Sequence, residues 1–260
     1  MSYSKIKKTY GLVLSEANSG DYDKVITILT SNMGKVTAFA KGSRRPKSVL
    51  LAPTQVFSFS NFVLYEGSTM FYINSADIVD VFYNIRFDYS KMEIGFKILK
   101  ILKAVSPENV EVYNYLKLGV LTLNYLAKSD KDPEFIYYIF IARLLYEMGL
   151  GLNIVSSKKS KDEQKEEKKT VKKEAQDKFA VYNENLGILK EYRYESEEEK
   201  KEARKKYNKK IVNINVLNAV KYIYTSPIDN IFNFNLEEDA KKQFVILMKN
   251  GFKKHINIKV

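Results

Sequence analysis

The chain has 260 residues, 45% of them hydrophobic, which is enough for one large domain or two or three small ones. It has no cysteine and a single histidine, His255, which excludes a disulfide framework, a thiolate nucleophile, a cysteine-based zinc site and an imidazole cluster. No run approaches the roughly 18 apolar residues of a membrane span, so the expectation is a soluble cytoplasmic protein that no segment carries across a membrane, and the formal charge of +12 fits a polyanionic partner or a membrane surface.

From Tyr10 to Val79 the hydrophobic pattern has period two and is broken by turns. The predicted strands are Tyr10–Ala17, Lys24–Thr30, Lys35–Lys41, Gln55–Tyr65 and Thr69–Val79, rich in β-branched and aromatic residues. In the fourth, the register slips near Asn61, as a bulge allows, and Phe57 and Phe59 share a face opposite Ser58 and Ser60, a pattern that predicts both rings buried. Five short strands in so few residues suggest a small antiparallel barrel, for which the oligonucleotide-binding (OB) barrel is the commonest architecture.

After Arg86 the period becomes helical. Met92, Phe96, Leu99 and Leu102 form one predicted apolar face, and Val112, Tyr115, Leu116, Gly119, Leu123 and Leu126 a second. A third helix starts at Asp132-Pro133 and carries Phe135, Tyr138, Ile139, Ala142, Leu145, Tyr146 and Gly149 on its face. Two charged runs follow, 157–178 and 190–210, each with nine basic and six acidic residues, and their composition predicts that neither buries a face. Between them, "FAVYNENLGILKEY" reads as a hairpin turning over Asn183–Gly187. A helix over Val212–Tyr224 stops before Ser226-Pro227, and a last one is expected to start at Asn235 as N-cap with Glu238 three residues on, turning Ala240, Phe244, Leu247 and Met248 inward.

The charge is uneven. Residues 1–50 hold nine Lys and Arg against Glu16, Asp21 and Asp23, half the net charge in the first fifth of the chain. Four of those cations, Lys41, Arg44, Arg45 and Lys47, crowd into "KGSRRPKS" behind the third strand, where Gly42 lets backbone come close and Pro46 restrains the loop. Such a cluster can contact successive phosphates, and spacing alone leaves open a site and a solvated loop. Lys5, Lys7 and Lys8, placed before the first strand, can extend the same basic surface. Phe57, Phe59, Phe62, Tyr65, Phe71 and Tyr72 are either core or base-stacking rings, and core is the simpler role for each. No phosphate-binding glycine loop or nucleophile elbow is present, and Asp77, Asp80, Asp88 and Glu93 follow no ligand spacing, so they read as solvated or capping carboxylates.

The order "YGLVLSEANSGDYDKVITILTSNMGKVTAFAKGSRRPKS" resembles the N-terminal OB domain of the bacterial recombination mediator RecO, and Gly34 through Ser48 is its most specific piece. "FIARLLYEMGLGLNI" is similar to the family's helix before its zinc module, and "NAVKYIYTSPIDNIFNFNLEEDAKKQF" resembles its C-terminal helices. Many relatives carry two cysteine pairs after that central helix, where this chain reads "VSSKKS" and "LGILKEY", so the resemblance implies a variant without the zinc, with no metal and no cofactor.

The implied architecture is α+β and multidomain: an OB barrel over 1–82, a helical domain over 83–154 and 211–260, and over 155–210 a charged insertion whose small hairpin replaces the zinc module. The implied function is not enzymatic. It is DNA binding and strand annealing in recombinational repair, acting with RecR and single-stranded DNA-binding protein to load RecA, in the cytoplasm at the nucleoid. Lys41, Arg44, Arg45, Lys47, Lys35, Lys7 and Lys8 are the implied contacts to single- and double-stranded DNA. Lys117, Arg143 and Lys221 are candidate rim cations of a pocket for the acidic tail of the single-strand binder. The alternative is a non-enzymatic OB module for structured RNA or an acidic protein.

Overall fold

The computed structural model describes residues 6–155, 178–193, 196–207 and 211–256. Backbone proximity divides the chain into two units, with the boundary after Phe140.

The first unit opens with five strands: β1 (Ile6–Ser19), β2 (Asp23–Thr30), β3 (Lys35–Ala40), β4 (Phe59–Glu66) and β5 (Phe71–Asp80). They form a closed barrel in the order β1-β2-β3-β5-β4, with β3 and β5 parallel and the other pairs antiparallel. This is the OB topology. Closure depends on β1, which pairs with β4 through residues 6–12 and with β2 through 11–19, and shifts register between Val13 and Ser15. The bulge bends one long strand from one neighbour to the next. Inside the barrel, alternate residues of each strand supply the core, among them Val13, Ile26, Ile28, Val36, Ala38, Phe62, Leu64 and Ile73.

All five predicted strands exist, and the fourth differs in where it starts. Phe57 has a left-handed backbone (φ 72°) in the turn before β4, which interrupts the alternation. Phe57 is therefore buried together with Ser58 and Ser60, while Phe59 is only half-buried. The register shifts of β4 against β5 fall at Phe59/Ser60 and Val63/Leu64, on either side of Asn61.

Three helices follow: α1 (Tyr89–Val105), α2 (Tyr113–Lys128) and α3 (Pro133–Glu147), the last with Pro133 in its first turn as predicted. Asp88 caps α1 by accepting from the Lys91 N–H at 3.0 Å, Asp80 accepts from the Phe82 N–H at 2.8 Å, and Glu93 pairs with Lys97 at 2.8 Å. Helix α1 buries Ile94, Gly95, Ile98, Leu99, Ile101 and Leu102, so the predicted face was rotated: Phe96 is exposed and Met92 half-exposed. Helix α2 buries Leu116, Gly119, Leu123 and Leu126 as its spacing requires.

In the second unit a four-stranded sheet has the order β6-β8-β7-β9, from β6 (Asn153–Val155), β7 (Lys178–Asn183), β8 (Ile188–Arg193) and β9 (Ile211–Val212). The β7–β8 hairpin turns over 184–187, inside the predicted span. Helix α4 (Glu197–Tyr207) follows it, α5 (Ile214–Thr225) packs on β7 and β8, and α6 (Glu238–His255) packs on α5. Among the described residues of the run 190–210 none is fully buried, but two half-buried rings pack: Tyr192 stacks on Phe179 at 5.3 Å, and Tyr207 lies 5.5 Å from Tyr192. Its aromatics are spaced for packing even though its charges are not. Helix α6 starts two residues later than expected, with Glu237 rather than Asn235 as N-cap and no side-chain hydrogen bond at the cap. His255 is exposed in its last turn. Residues 156–177, most of the first charged run, lie outside the described residues, as does Lys5.

Gly34 turns β2 into β3 with φ +65°, and a Cβ there would sit 2.6 Å from the Pro107 carbonyl oxygen and collide with that of Val110. Both oxygens are backbone and cannot swing away, so Gly34→Ala should lower the unfolding free energy by more than about 2 kcal/mol in denaturant titration.

Candidate nucleic-acid interface

The basic loop leaves β3 at Ala40 and is fastened to the β1–β2 turn. Gly42, at φ +64°, donates its N–H to Asp23 Oδ1 at 2.6 Å. The Arg44 N–H donates to the Tyr22 carbonyl at 2.8 Å, and its guanidinium to the Gly20 carbonyl at 3.1 Å. The Arg45 guanidinium lies 5.3 Å over the Tyr22 ring, a cation–π contact. Within the loop, Arg45 donates its N–H to the Gly42 carbonyl and Ser48 to that of Arg45, so the backbone is a sequence of tight turns.

Lys41, Arg45 and Lys47 are exposed and Arg44 is half-exposed. Among the described residues, none of these four has a carboxylate within ion-pair distance. Lys24 makes a contrast nearby: it is buried in β2 and bound to Glu16 at 3.0 Å. Uncompensated cations on a fixed backbone suit a phosphate chain.

The other sequence-selected cations are placed differently. Lys35 opens β3, at the end opposite the loop, where its ammonium donates to the Lys103 carbonyl at 3.0 Å and lies 4.0 Å from Glu108. Lys7 and Lys8 lie inside β1 rather than before it, and Lys7 is 3.9 Å from Glu66. Of the six weighed aromatics, Phe57 and Phe62 are buried and Phe71 packs against the barrel core, while Tyr65 and Tyr72 are exposed. Tyr22 and Phe39 were not singled out from the sequence. Tyr22 was recognisable as the one ring in a polar turn, and Phe39 as the one large residue between two small inward ones.

Lys117 lies on α2 and lines an apolar groove of about 320 Å³ with Tyr10, Phe59, Tyr113, Leu116 and Val120. Arg143 is not a rim cation. It is buried, pairs with Glu147 at 2.7 Å, and donates to the Ile223 and Ser226 carbonyls at 2.8 and 2.7 Å, tying α3 to the end of α5. Lys221 is half-buried against Glu191 at 3.1 Å.

Residues 1–82 match the family model for the N-terminal part of recombination protein O. The chain is 42% identical over 142 residues to the DNA repair protein RecO of Acetivibrio thermocellus, covering 55% of this chain and 57% of that one. It is 34% identical over 149 residues to that of Alkaliphilus metalliredigens, covering 57% and 61%. With the RecO protein of Clostridium kluyveri the likeness is 22% but extends over 96% of this chain and 90% of the relative. Residues 1–82 thus resemble the N-terminal part of RecO proteins, and the likeness to RecO relatives extends beyond them.

The two stronger matches span about three fifths of those RecO proteins. A zinc module of the RecO kind does not fit the donor set present here. The chain has no cysteine, and the described residues hold no group of three or more His, Cys, Asp or Glu arranged to hold a metal ion. Phe179, Tyr192 and Tyr207 instead cross-link the hairpin to α4, and Glu191 binds Lys221.

Two outcomes follow from this geometry. Asp23→Ala removes a charge-assisted hydrogen bond and should cost about 1–2 kcal/mol while accelerating amide exchange at Gly42. EDTA should leave the thermal midpoint unchanged, whereas Phe179→Ala should lower the stability of the second unit by about 3–5 kcal/mol. Stoichiometric zinc in elemental analysis of the purified protein would contradict the expectation of a chain without the zinc.

Proposed function

We propose that the chain is a DNA-binding and strand-annealing recombination mediator of recombinational repair. It works without bond-making chemistry, in the cytoplasm at the nucleoid, with RecR and single-stranded DNA-binding protein to load RecA. The observation that carries the reading is the basic loop: four cations without ion-pair partners among the described residues, held by Asp23 and the Gly20–Tyr22 turn, on a barrel similar to the N-terminal part of RecO proteins. Cations held in place lose less freedom on binding than cations on a floating tail, and each phosphate they neutralise releases condensed counterions. Lys41, Arg44, Arg45 and Lys47 are the proposed contacts to both single and double strands, with Lys8 as an outlying cation. Lys35 and Lys7 contribute less because each already faces a carboxylate.

The groove beside Lys117 is the proposed seat for the acidic tail of the single-strand binder. Its walls are apolar and its one lysine provides the charge that such a tail needs.

The test is fluorescence anisotropy with single-stranded DNA, duplex and structured RNA across a salt series. Arg44→Glu/Arg45→Glu should weaken binding to both DNA forms more than tenfold and reduce the duplex salt slope by about 2, from the loss of two phosphate contacts. A double variant with parental affinity and slope removes the loop from the site, and tighter binding to structured RNA than to either DNA favours the RNA module. Annealing of complementary strands coated with the cognate single-strand binder separates a mediator from a basic OB protein, and Lys117→Glu should depress annealing of coated strands while sparing naked ones.

A further inference from the structure

Four strands of the barrel present a row of large apolar side chains outward. Phe39 of β3 stands opposite Tyr72 of β5, Tyr72 opposite Tyr65 of β4, and Tyr65 opposite Ile6 of β1. Their neighbours Ala38, Ala40, Leu64 and Ile73 all belong to the barrel core, so the pleat puts the row on the outer surface. Tyr65, Tyr72 and Ile6 are 44%, 46% and 52% exposed, and Phe39, half-buried, meets the Tyr72 ring edge-on at 5.9 Å.

The row has charge beside it. One residue past Phe39 the strand ends and Lys41 opens the basic loop, and Lys8 is exposed two residues after Ile6 on the same face of β1. A connected apolar strip flanked by uncompensated cations fits a ligand that is anionic along one edge and flat and apolar along another. Single-stranded DNA is such a ligand.

We propose that Phe39, Tyr72 and Tyr65 form a stacking platform for unpaired bases and that this row gives the protein its preference for single strands over duplex. The inference rests on the reading above, in which the basic loop holds the phosphate chain. Adjacent strands stand about 4.8 Å apart, wider than the roughly 3.4 Å rise of a stacked nucleic-acid strand. Bases that engage successive rings must therefore part from one another. Bases inside a duplex have both faces covered and cannot. Stacking uses the faces of a base and leaves its pairing edge free, so a strand held this way remains open to its complement.

The experiment compares the full chain on three probes at one salt concentration: an oligo-dT, an abasic strand with the same number of phosphates, and a duplex. The parent should bind oligo-dT at least about tenfold more tightly than the abasic strand. Phe39→Leu/Tyr65→Leu/Tyr72→Leu should bind oligo-dT no better than the abasic strand while keeping parental duplex affinity, which also shows that the variant is folded. A triple variant that still prefers oligo-dT, or a parent that binds both strands equally, overturns the platform and leaves the loop reading intact. Arg44→Glu/Arg45→Glu should weaken all three probes, and no change there overturns the loop reading instead. The chain has no tryptophan, so Tyr72→Trp adds a single indole. Its fluorescence should be quenched by oligo-dT and not by the abasic strand, and the absence of quenching by oligo-dT overturns the platform.

Discussion

The two-sided pairing of β1 is the constraint on which the first unit depends. A strand that bonds to β4 with its first half and to β2 with its second closes the sheet on itself, so the barrel has no free edge. The bulge after Val13 makes this possible by turning the strand without breaking its ladder. Its far end then delivers the Gly20–Tyr22 turn to the place where β3 ends, and the basic loop acquires carbonyl acceptors, an aromatic face and the Asp23 carboxylate at the start of β2. The pairing of β2 with β3, Lys24 opposite Ala40, keeps that turn beside the loop. With it, four cations share one fixed backbone.

Net charge says little about which cations are available. Lys24 is neutralised beneath the surface by Glu16, Lys221 by Glu191, and Arg143 is consumed by Glu147 and backbone carbonyls. Burying such groups is unfavourable unless partners meet them, so these pairs are fixed parts of the fold. The cations of the loop have no such partners among the described residues, and their field reaches about 8–10 Å into solvent at moderate salt before screening removes it. The functional contrast in this protein is between cations spent on architecture and cations left for solvent.

How much of this was readable from the sequence follows from what each feature depends on. The five strands and the hairpin were readable because period-two alternation and short turns are local signals. The burial of Ser58 and Ser60 was not, because one left-handed residue at Phe57 resets the alternation and nothing in its side chain announces that. The α1 face was misplaced because aromatic Phe96 outweighed Ile94, Ile98 and Ile101 in a pattern where only contact with α2, β1 and β2 decides. Arg143 read as a surface cation because its acceptors, carbonyls at the end of α5, lie about eighty residues downstream. The four loop cations were visible as a cluster, yet their distinguishing property, the lack of carboxylate partners, exists only in three dimensions.

The hairpin of the second unit is held by packed rings and an ion pair in a chain that has no cysteine. A structural zinc holds a small sheet by joining four thiolates at one point, and such a sheet depends on the metal for much of its folding free energy. Here the sheet is larger than a lone hairpin, with β6 and β9 on its flanks and α5 packed on β7 and β8. Three packed rings, of which Phe179 and Tyr192 stack and Tyr207 lies tilted, and the Glu191–Lys221 pair distribute the cross-linking over several contacts. Each contact is weaker than a metal–thiolate bond, but none depends on metal supply or on keeping a thiol reduced. A chain without cysteine can therefore keep the hairpin, provided the run after it carries aromatics, and Tyr192 and Tyr207 are the residues in that charged run that meet the condition.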